Sequence, residues 1–187
     1  MTNRDRRTQL IEEGRLLFLE KGYTATSIDQ VCQKAGVTKG GFFHHFASKE
    51  EFAAAMLEHT WADFEKRHAA MDVSHDPGGA LADHVDFMVR YIADTGRLLP
   101  LLAGELGSTH PEISQQVRGY FQSWMSFLIE ALTSARAQSG ADFDPQAVKE
   151  FVISTIEGVP VSASQFGPQA VENTAHHLKT YLAHLVA

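Results

Sequence analysis

The stretch that most constrains this chain runs from Thr26 to Phe46 and reads TSIDQVCQKAGVTKGGFFHHF. Apolar residues in its first part recur every three to four positions, which predicts a helix with one buried face. Thr26 is a suitable N-cap for that helix, and Gly36 can end it in the left-handed conformation. Thr38 is the expected cap of a second, short helix that ends in aromatic residues. Two such helices joined by a tight turn containing glycine form a helix-turn-helix, an arrangement that places its second helix in the major groove of DNA.

The sequence on both sides of this stretch narrows the interpretation. LLFLEKGYTATSI lies upstream and overlaps its start, and ASKEEFAAAML follows it. Together with AGVTKGGFFHHF, these segments resemble the N-terminal DNA-binding domain of the TetR family of repressors over residues 10–57. The resemblance implies an all-α protein with a three-helix helix-turn-helix DNA-binding domain at residues 1–47. A helical effector-binding and dimerisation domain would follow at 48–187, with 48–70 as a linking helix. Beyond residue 57 the chain resembles the family only in being helical.

The resemblance also implies which residues contact DNA. Lys39 can bind guanine or a phosphate. Gly40 and Gly41 let the helix backbone approach the duplex, and N–H groups near a helix N-terminus bind phosphate well. The family commonly has Tyr at the position of Phe43, so one phosphate hydrogen bond is expected to be missing here. The implied DNA-contact residues are Thr26, Ser27, Thr38, Lys39, Gly40, Gly41, Phe43, His44, His45 and Lys49.

Charge is distributed unevenly along the chain, whose net charge is −7. Residues 1–50 carry eight Lys and Arg against six acidic residues, whereas residues 51–187 carry eight against seventeen. An acidic chain should repel a polyanion in general, yet its one basic region coincides with the helix-turn-helix. This asymmetry is typical of a DNA-reading region joined to a body that does not bind DNA. Arg4, Arg6 and Arg7 either contact phosphates or form a solvated tail.

The hydrophobic periodicity predicts further helices along the chain. We expect them at residues 4–21, 48–70, 80–94, 98–107, 111–138, 146–165 and 168–186. No apolar run approaches 18 residues, so no transmembrane helix is expected, and the charged start leads into no signal-peptide core. The one cysteine, Cys32, excludes an internal disulfide and fits the reducing cytoplasm, where the protein is expected to act. We expect Cys32 to be a buried thiol.

Three consecutive helices of the body are rich in large aromatic and flexible apolar side chains. Such walls suit a mainly apolar small molecule that is oriented by one or two polar groups. Glu105 is the polar exception, and it is either a ligand contact or an exposed or ion-paired structural residue. Core packing is the alternative explanation for the whole set. The predicted effector-binding residues are Phe87, Met88, Tyr91, Leu99, Leu102, Glu105, Trp124, Phe127 and Leu128.

A homodimer is expected because one helix-turn-helix buries too little surface for tight specific binding. Proteins of this kind usually combine two-fold symmetry with two half-sites on the DNA. The last two predicted helices carry enough apolar surface for an isologous four-helix interface. The predicted interface residues are Phe151, Val152, Ile156, Val159, Val171, Leu178, Leu182 and Leu185. The expected partner is double-stranded DNA with an inverted repeat.

The sequence therefore predicts a ligand-responsive transcriptional regulator, most simply a repressor that a small apolar effector releases from its operator. A DNA-binding regulator without an effector is the main alternative. An enzyme is disfavoured because there is no nucleophile–base pair and no Gly-rich phosphate loop, and no cofactor is expected. A metal site is also disfavoured, because no Cys/His pair has zinc-finger spacing. The metal-ligand candidates would have been His68, Asp72, His75, Asp76, Asp83 and His84.

Overall fold

A computed structural model describes residues 3–71, 76–95 and 97–186. Over these ranges the fold is all-α, as predicted, and contains no strand. None of the described helices has the length and apolar character that a membrane span requires. The helices, in chain order, are α1 (Asn3–Lys21), α2 (Ile28–Ala35), α3 (Lys39–Phe43), α4 (Lys49–Ala69), α5 (Pro77–Thr95), α6 (Leu98–Leu106), α7 (Pro111–Ser139), α8 (Pro145–Phe166) and α9 (Gln169–Leu185).

These described residues form two compact units. Unit 1 contains the residues up to 65 together with 97–119, and unit 2 contains 66–95 together with 120–186. Helices α4 and α7 each contribute residues to both units. The predicted boundary between a DNA-binding domain at residues 1–47 and an effector-binding and dimerisation domain at 48–187 is a division by function, not by packing. It stays a prediction.

Aromatic side chains from α1 to α4 form the core of unit 1. Phe18, Phe42, Phe46 and Phe52 are all buried, with relative exposures between 0% and 1%. The Phe52 ring lies 5.9 Å from Phe18, 5.2 Å from Phe42 and 4.9 Å from Phe46, measured between ring centroids in edge-on geometry. Each such burial contributes about 1.5–3 kcal/mol, and edge-on aromatic pairs add to it. Gly14 of α1 leaves room for Phe52, since a Cβ at Gly14 would collide with the Phe52 ring.

Unit 2 is built on the packing of α5 against α8 and α9. Apolar side chains spaced at helical intervals on these three helices are buried. They are Leu81, Val85, Val89, Val152, Ile156, Val159, Leu178 and Leu182. At the surface, Asp86 and Arg90 of α5 form ion pairs with Lys179 and Glu172 of α9 at 3.0 and 2.8 Å. Most of the apolar side chains that made these helices predictable are therefore buried inside unit 2.

Candidate functional site

The first helix of the helix-turn-helix begins one residue later than expected. Ser27, rather than Thr26, is its N-cap: the Ser27 hydroxyl accepts the Gln30 N–H at 3.2 Å, and the Gln30 side chain accepts the Ser27 N–H at 2.8 Å. This reciprocal pair is a capping box. The prediction that Thr26 caps the helix was wrong. Thr26 is buried, and its hydroxyl donates to the Gly22 carbonyl at 2.8 Å. Burial also takes Thr26 away from the surface that DNA could reach.

The turn and the second helix have the predicted geometry. Gly36 has φ of 64°, the left-handed conformation that glycine adopts at little cost. Thr38 then caps α3, because its hydroxyl accepts the Gly41 N–H at 3.1 Å. Phe42 points into the core and fixes the rotation of α3 about its own axis.

Because Phe42 is buried, the opposite face of α3 is free for a partner. Thr38, Lys39, Gly40, Phe43 and His44 are all exposed. The Lys39 ammonium lies 3.0 Å from the Asp29 carboxylate, an exposed pair that costs little to break. Most of the residues predicted to contact DNA therefore share one exposed surface.

Beside this surface lies a groove of about 580 Å³ between α1 and α3. Arg6 contributes to its wall together with His44 and His45, and the Arg7 guanidinium lies 5.1 Å from the centre of the Phe46 ring. Burial lowers the pKa of His45, and the nearby His44, Arg7 and Arg6 lower it further. The groove thus has a positive potential that an anion such as a DNA phosphate would relieve. The Arg4 side chain is outside the described part of the chain.

Lys49, predicted to contact phosphate, has a structural partner within the chain. Its ammonium donates to the Tyr23 carbonyl at 2.6 Å and lies 4.0 Å from the centre of the Tyr23 ring. Burial lowers the pKa of Lys49, opposed by the nearby carboxylates of Glu50 and Glu105. A phosphate contact by Lys49 would have to compete with these interactions.

Glu105 has the structural role that was left open as an alternative. Its carboxylate accepts the Tyr23 N–H at 3.1 Å and the Thr24 N–H at 2.7 Å, joining α6 to the segment that precedes α2. These hydrogen bonds keep the pKa of Glu105 low, with the Thr24 N–H the largest cause. The prediction that Glu105 is the polar contact for an effector is not supported, because both oxygens already have partners inside unit 1.

The remaining predicted effector residues are divided between the units. Leu99 and Leu102 belong to unit 1, whereas the other six belong to unit 2. In unit 2, the Phe87 and Tyr91 rings stack at 5.8 Å, and Met88, Trp124 and Leu128 are buried. Phe127 is 39% exposed and packs on the His68 ring at 4.7 Å. The sequence did not predict that His68 lies among these aromatic side chains.

Burial corrects most of the predicted dimer interface. Five of its residues are core residues of unit 2 and cannot face a second chain, namely Val152, Ile156, Val159, Leu178 and Leu182. Phe151 is 50% exposed, and its ring lies 5.2 Å from that of Tyr181, which the sequence analysis missed. A signal for Tyr181 was available: it lies three residues after Leu178, on the neighbouring edge of the same helix.

The histidine and acid candidates do not assemble into a metal site in the described part of the chain. There, no group of three or more His, Cys, Asp or Glu side chains is placed to hold a metal ion. Asp72 and His75 lie outside the described residues. Cys32 is buried, and burial raises the pKa of its thiol.

The fold and the exposed α3 surface define a helix-turn-helix regulator that binds DNA. Residues 10–56 match the model of the bacterial regulatory proteins, tetR family. The HTH-type transcriptional repressor DhaR of Mycobacterium sp. (strain GP1) is 24% identical over 156 residues, which are 81% of this chain and 79% of DhaR. The matched domain and these similarities support a TetR-family transcriptional regulator. These relatives are regulators rather than enzymes.

Solved structures share the fold over nearly the whole length of this chain. A TetR-family transcriptional regulator from Agrobacterium tumefaciens superposes with a TM-score of 0.83 at 23% identity, covering 100% of both chains. FadR from Bacillus subtilis, in complex with stearoyl-CoA, has a TM-score of 0.75 at 18% identity and covers 94% of this chain and 97% of its own. At these identities the likeness concerns the fold alone.

Proposed function

We propose that the protein is a homodimeric repressor that binds an inverted-repeat operator and is released from it by a small, mainly apolar effector. The observation that carries the proposal is the exposed α3 surface, with Lys39 and His44 beside a groove that Arg6 makes positive. A protein acting on chromosomal DNA in this way would work in the cytoplasm.

The proposed DNA contacts fall into two groups: those that can reach base edges and those that can bind only the phosphate backbone. Lys39, Thr38 and the backbone near Gly40 face outward from the N-terminal turn of α3, where they can approach base edges and phosphates. Arg6 and His45 line the adjoining groove and suit a backbone phosphate. Base readout from a helix with two glycines is sparse, so we expect short half-sites and a large electrostatic share of the affinity.

The experiment begins with selection from a random duplex library, which should yield an inverted repeat with half-sites about one helical turn apart. Lys39→Ala should then weaken binding and reduce the slope of log affinity against log salt by about 0.9, the share of one neutralised phosphate. Lys66→Ala, an exposed lysine of unit 2, is the matched control and should bind as wild type does. A wild-type salt slope in Lys39→Ala would remove Lys39 from the interface.

A second copy of the chain is the proposed partner for the exposed apolar edge of α8 and α9. Phe151, Thr155, His177 and Tyr181 line one shallow groove on this edge, and two-fold pairing there would join two helix-turn-helix motifs in one molecule, as an inverted repeat requires. Phe151→Glu should shift the protein to monomers in analytical ultracentrifugation. Leu16→Glu, at a 45% exposed apolar residue of α1, is the control and should stay dimeric.

The effector proposal rests on the aromatic side chains of unit 2. FadR from Bacillus subtilis shows that this fold can hold an acyl compound, since its structure contains stearoyl-CoA. Binding would act by a population shift, in which the effector favours a conformation of the body that α4 carries to the helix-turn-helix. A thermal-shift screen with small apolar compounds, followed by operator binding at saturation, tests this. Binding without any change in operator affinity would favour a regulator without an effector.

A further inference from the structure

Two polar atoms buried in unit 2 have no hydrogen-bond partner among the described residues. They are His84 Nε2 on α5 and Trp124 Nε1 on α7. His84 is 6% exposed and Trp124 is 4% exposed, so water reaches neither side chain freely. Leaving such a group without a partner is costly, so an unpaired buried polar group in a native protein calls for an explanation, such as a bound ligand, ion or water.

His84 belongs to a group of rings that we call the His68 cluster: His68, His84, Phe87 and Phe127. His68 Nε2 lies 3.0 Å from His84 Nδ1. The His68 ring also lies 5.7 Å from Phe87 and 4.7 Å from Phe127, so it joins the last turn of α4 to α5 and α7. Trp124 precedes Phe127 by three residues on α7, which places it on the next turn along nearly the same face.

We propose that His84 Nε2 and Trp124 Nε1 bind the carbonyl group of the effector, an uncharged ketone, ester, thioester or amide on an apolar skeleton. This inference rests on the proposed effector function and specifies its chemistry. An indole N–H can only donate, so the ligand must present an acceptor. If His68 Nε2–H donates to His84 Nδ1, then His84 Nε2 carries the second proton, so it too is a donor that requires an acceptor.

Charge distinguishes a carbonyl from a carboxylate. Burial, together with the neighbouring His68, lowers the pKa of His84 to about 4, so the imidazole is neutral near pH 7. A carboxylate held there would be a buried charge without a positive partner, which is expensive. Arg67 is a cation of the same unit, but its side chain is half exposed, and it lies 5.7 Å from the Tyr91 ring and 4.0 Å from Asp94, so its charge is at the surface.

The arrangement also assigns a positioning role to His68. A hydrogen bond from His84 Nε2 to the ligand fixes the tautomer of His84 and, through the 3.0 Å contact, that of His68. His68 lies in the last turn of α4, the helix whose first turn follows the helix-turn-helix. A ligand bound between α5 and α7 would therefore act on α4, the linking helix, through the contact between His84 and His68.

The test uses the full chain with Trp61→Phe, which leaves Trp124 as the only tryptophan. Titration with 2-octanone should move the indole ¹H–¹⁵N signal of Trp124 downfield in a saturable way, and sodium octanoate should bind more weakly. His84→Phe should weaken 2-octanone binding about tenfold, the effect of one hydrogen bond. His184→Phe, at an exposed histidine of α9, is the matched control.

Several outcomes would overturn the proposal. One is saturable binding of 2-octanone, by calorimetry, that leaves the Trp124 indole signal in place; another is no binding at all. Tighter binding of octanoate than of the ketone would overturn the uncharged ligand class. Operator binding by the ligand-free chain is measured in parallel. If the ligand-free chain binds the operator but the ketone titration fails, only this ligand site is refuted. If the ligand-free chain does not bind the operator, the proposed repressor function is refuted, and the titration still tests the ligand site separately.

Discussion

His84 should make unit 2 sensitive to acid. Its pKa in the folded protein, about 4, lies below the ordinary 6.5, because burial disfavours the charged ring. The unfolded chain therefore takes up the proton first as the pH falls. The contribution of His84 to stability is complete above pH 6.5, decreases between pH 6.5 and 4, and amounts to roughly 3 kcal/mol at most.

The size of the effect at a convenient pH follows from the same two values. Between pH 7 and pH 5, linkage through this one group should lower the free energy of unfolding by about 2 kcal/mol. His84→Phe removes the titrating ring and, with it, the unsatisfied nitrogen. The variant should therefore lose about 2 kcal/mol less than wild type over this pH interval.

Urea unfolding in the Trp61→Phe background measures this difference, because fluorescence then reports on Trp124 in unit 2. His184→Phe is the control and should keep the pH dependence of its parent. If His84→Phe loses as much stability as wild type between pH 7 and pH 5, burial does not hold His84 neutral, and the reasoning is refuted.

Three substitutions in unit 1 give further predictions. Glu105→Gln should lower the free energy of unfolding by about 1 kcal/mol, because hydrogen bonds to a charged carboxylate are strong but Glu105 is exposed to solvent. An unchanged free energy of unfolding would contradict the proposed role of Glu105 in holding the Tyr23–Thr24 segment. Gly14→Ala should cost about 1–3 kcal/mol by thermal unfolding because its Cβ would collide with Phe52, and wild-type stability would show that the ring yields freely. Gly40→Ala meets only Thr38 Oγ1 at 3.9 Å, so stability should hold while operator affinity, measured by fluorescence anisotropy, falls; undiminished affinity would place the DNA elsewhere.

Local patterns were enough to predict the helix-turn-helix. Glycine in the left-handed conformation at Gly36 and a hydroxyl cap at Thr38 depend on neighbours only a few residues away, and both were confirmed. The cap of α2 was misplaced by one residue, although Ser is on average a better N-cap than Thr and Gln30, three residues after Ser27, completes a capping box. Burial decided between them, since the Thr26 hydroxyl is held by the carbonyl of Gly22.

Roles that depend on distant contacts could not be predicted in the same way. Periodicity shows that α8 and α9 are apolar, but it cannot separate the side of each helix that packs inside unit 2 from the side that faces out. Val152 and Phe151 are adjacent in sequence, yet Val152 is fully buried and Phe151 is half exposed. The pairing of His68 with His84 likewise depends on how α4 and α5 meet.

The hydrogen bonds from Tyr23 and Thr24 to Glu105 have a consequence for modularity. The segment that positions α2 is held by Glu105 of α6, far along the chain. The region at residues 10–57, which resembles the TetR DNA-binding domain, is therefore not structurally independent of the rest of the chain. A chimera that exchanges only this region between two regulators would separate the carboxylate from its two N–H donors. Grafts intended to redirect operator specificity should therefore carry α6 along with the first four helices.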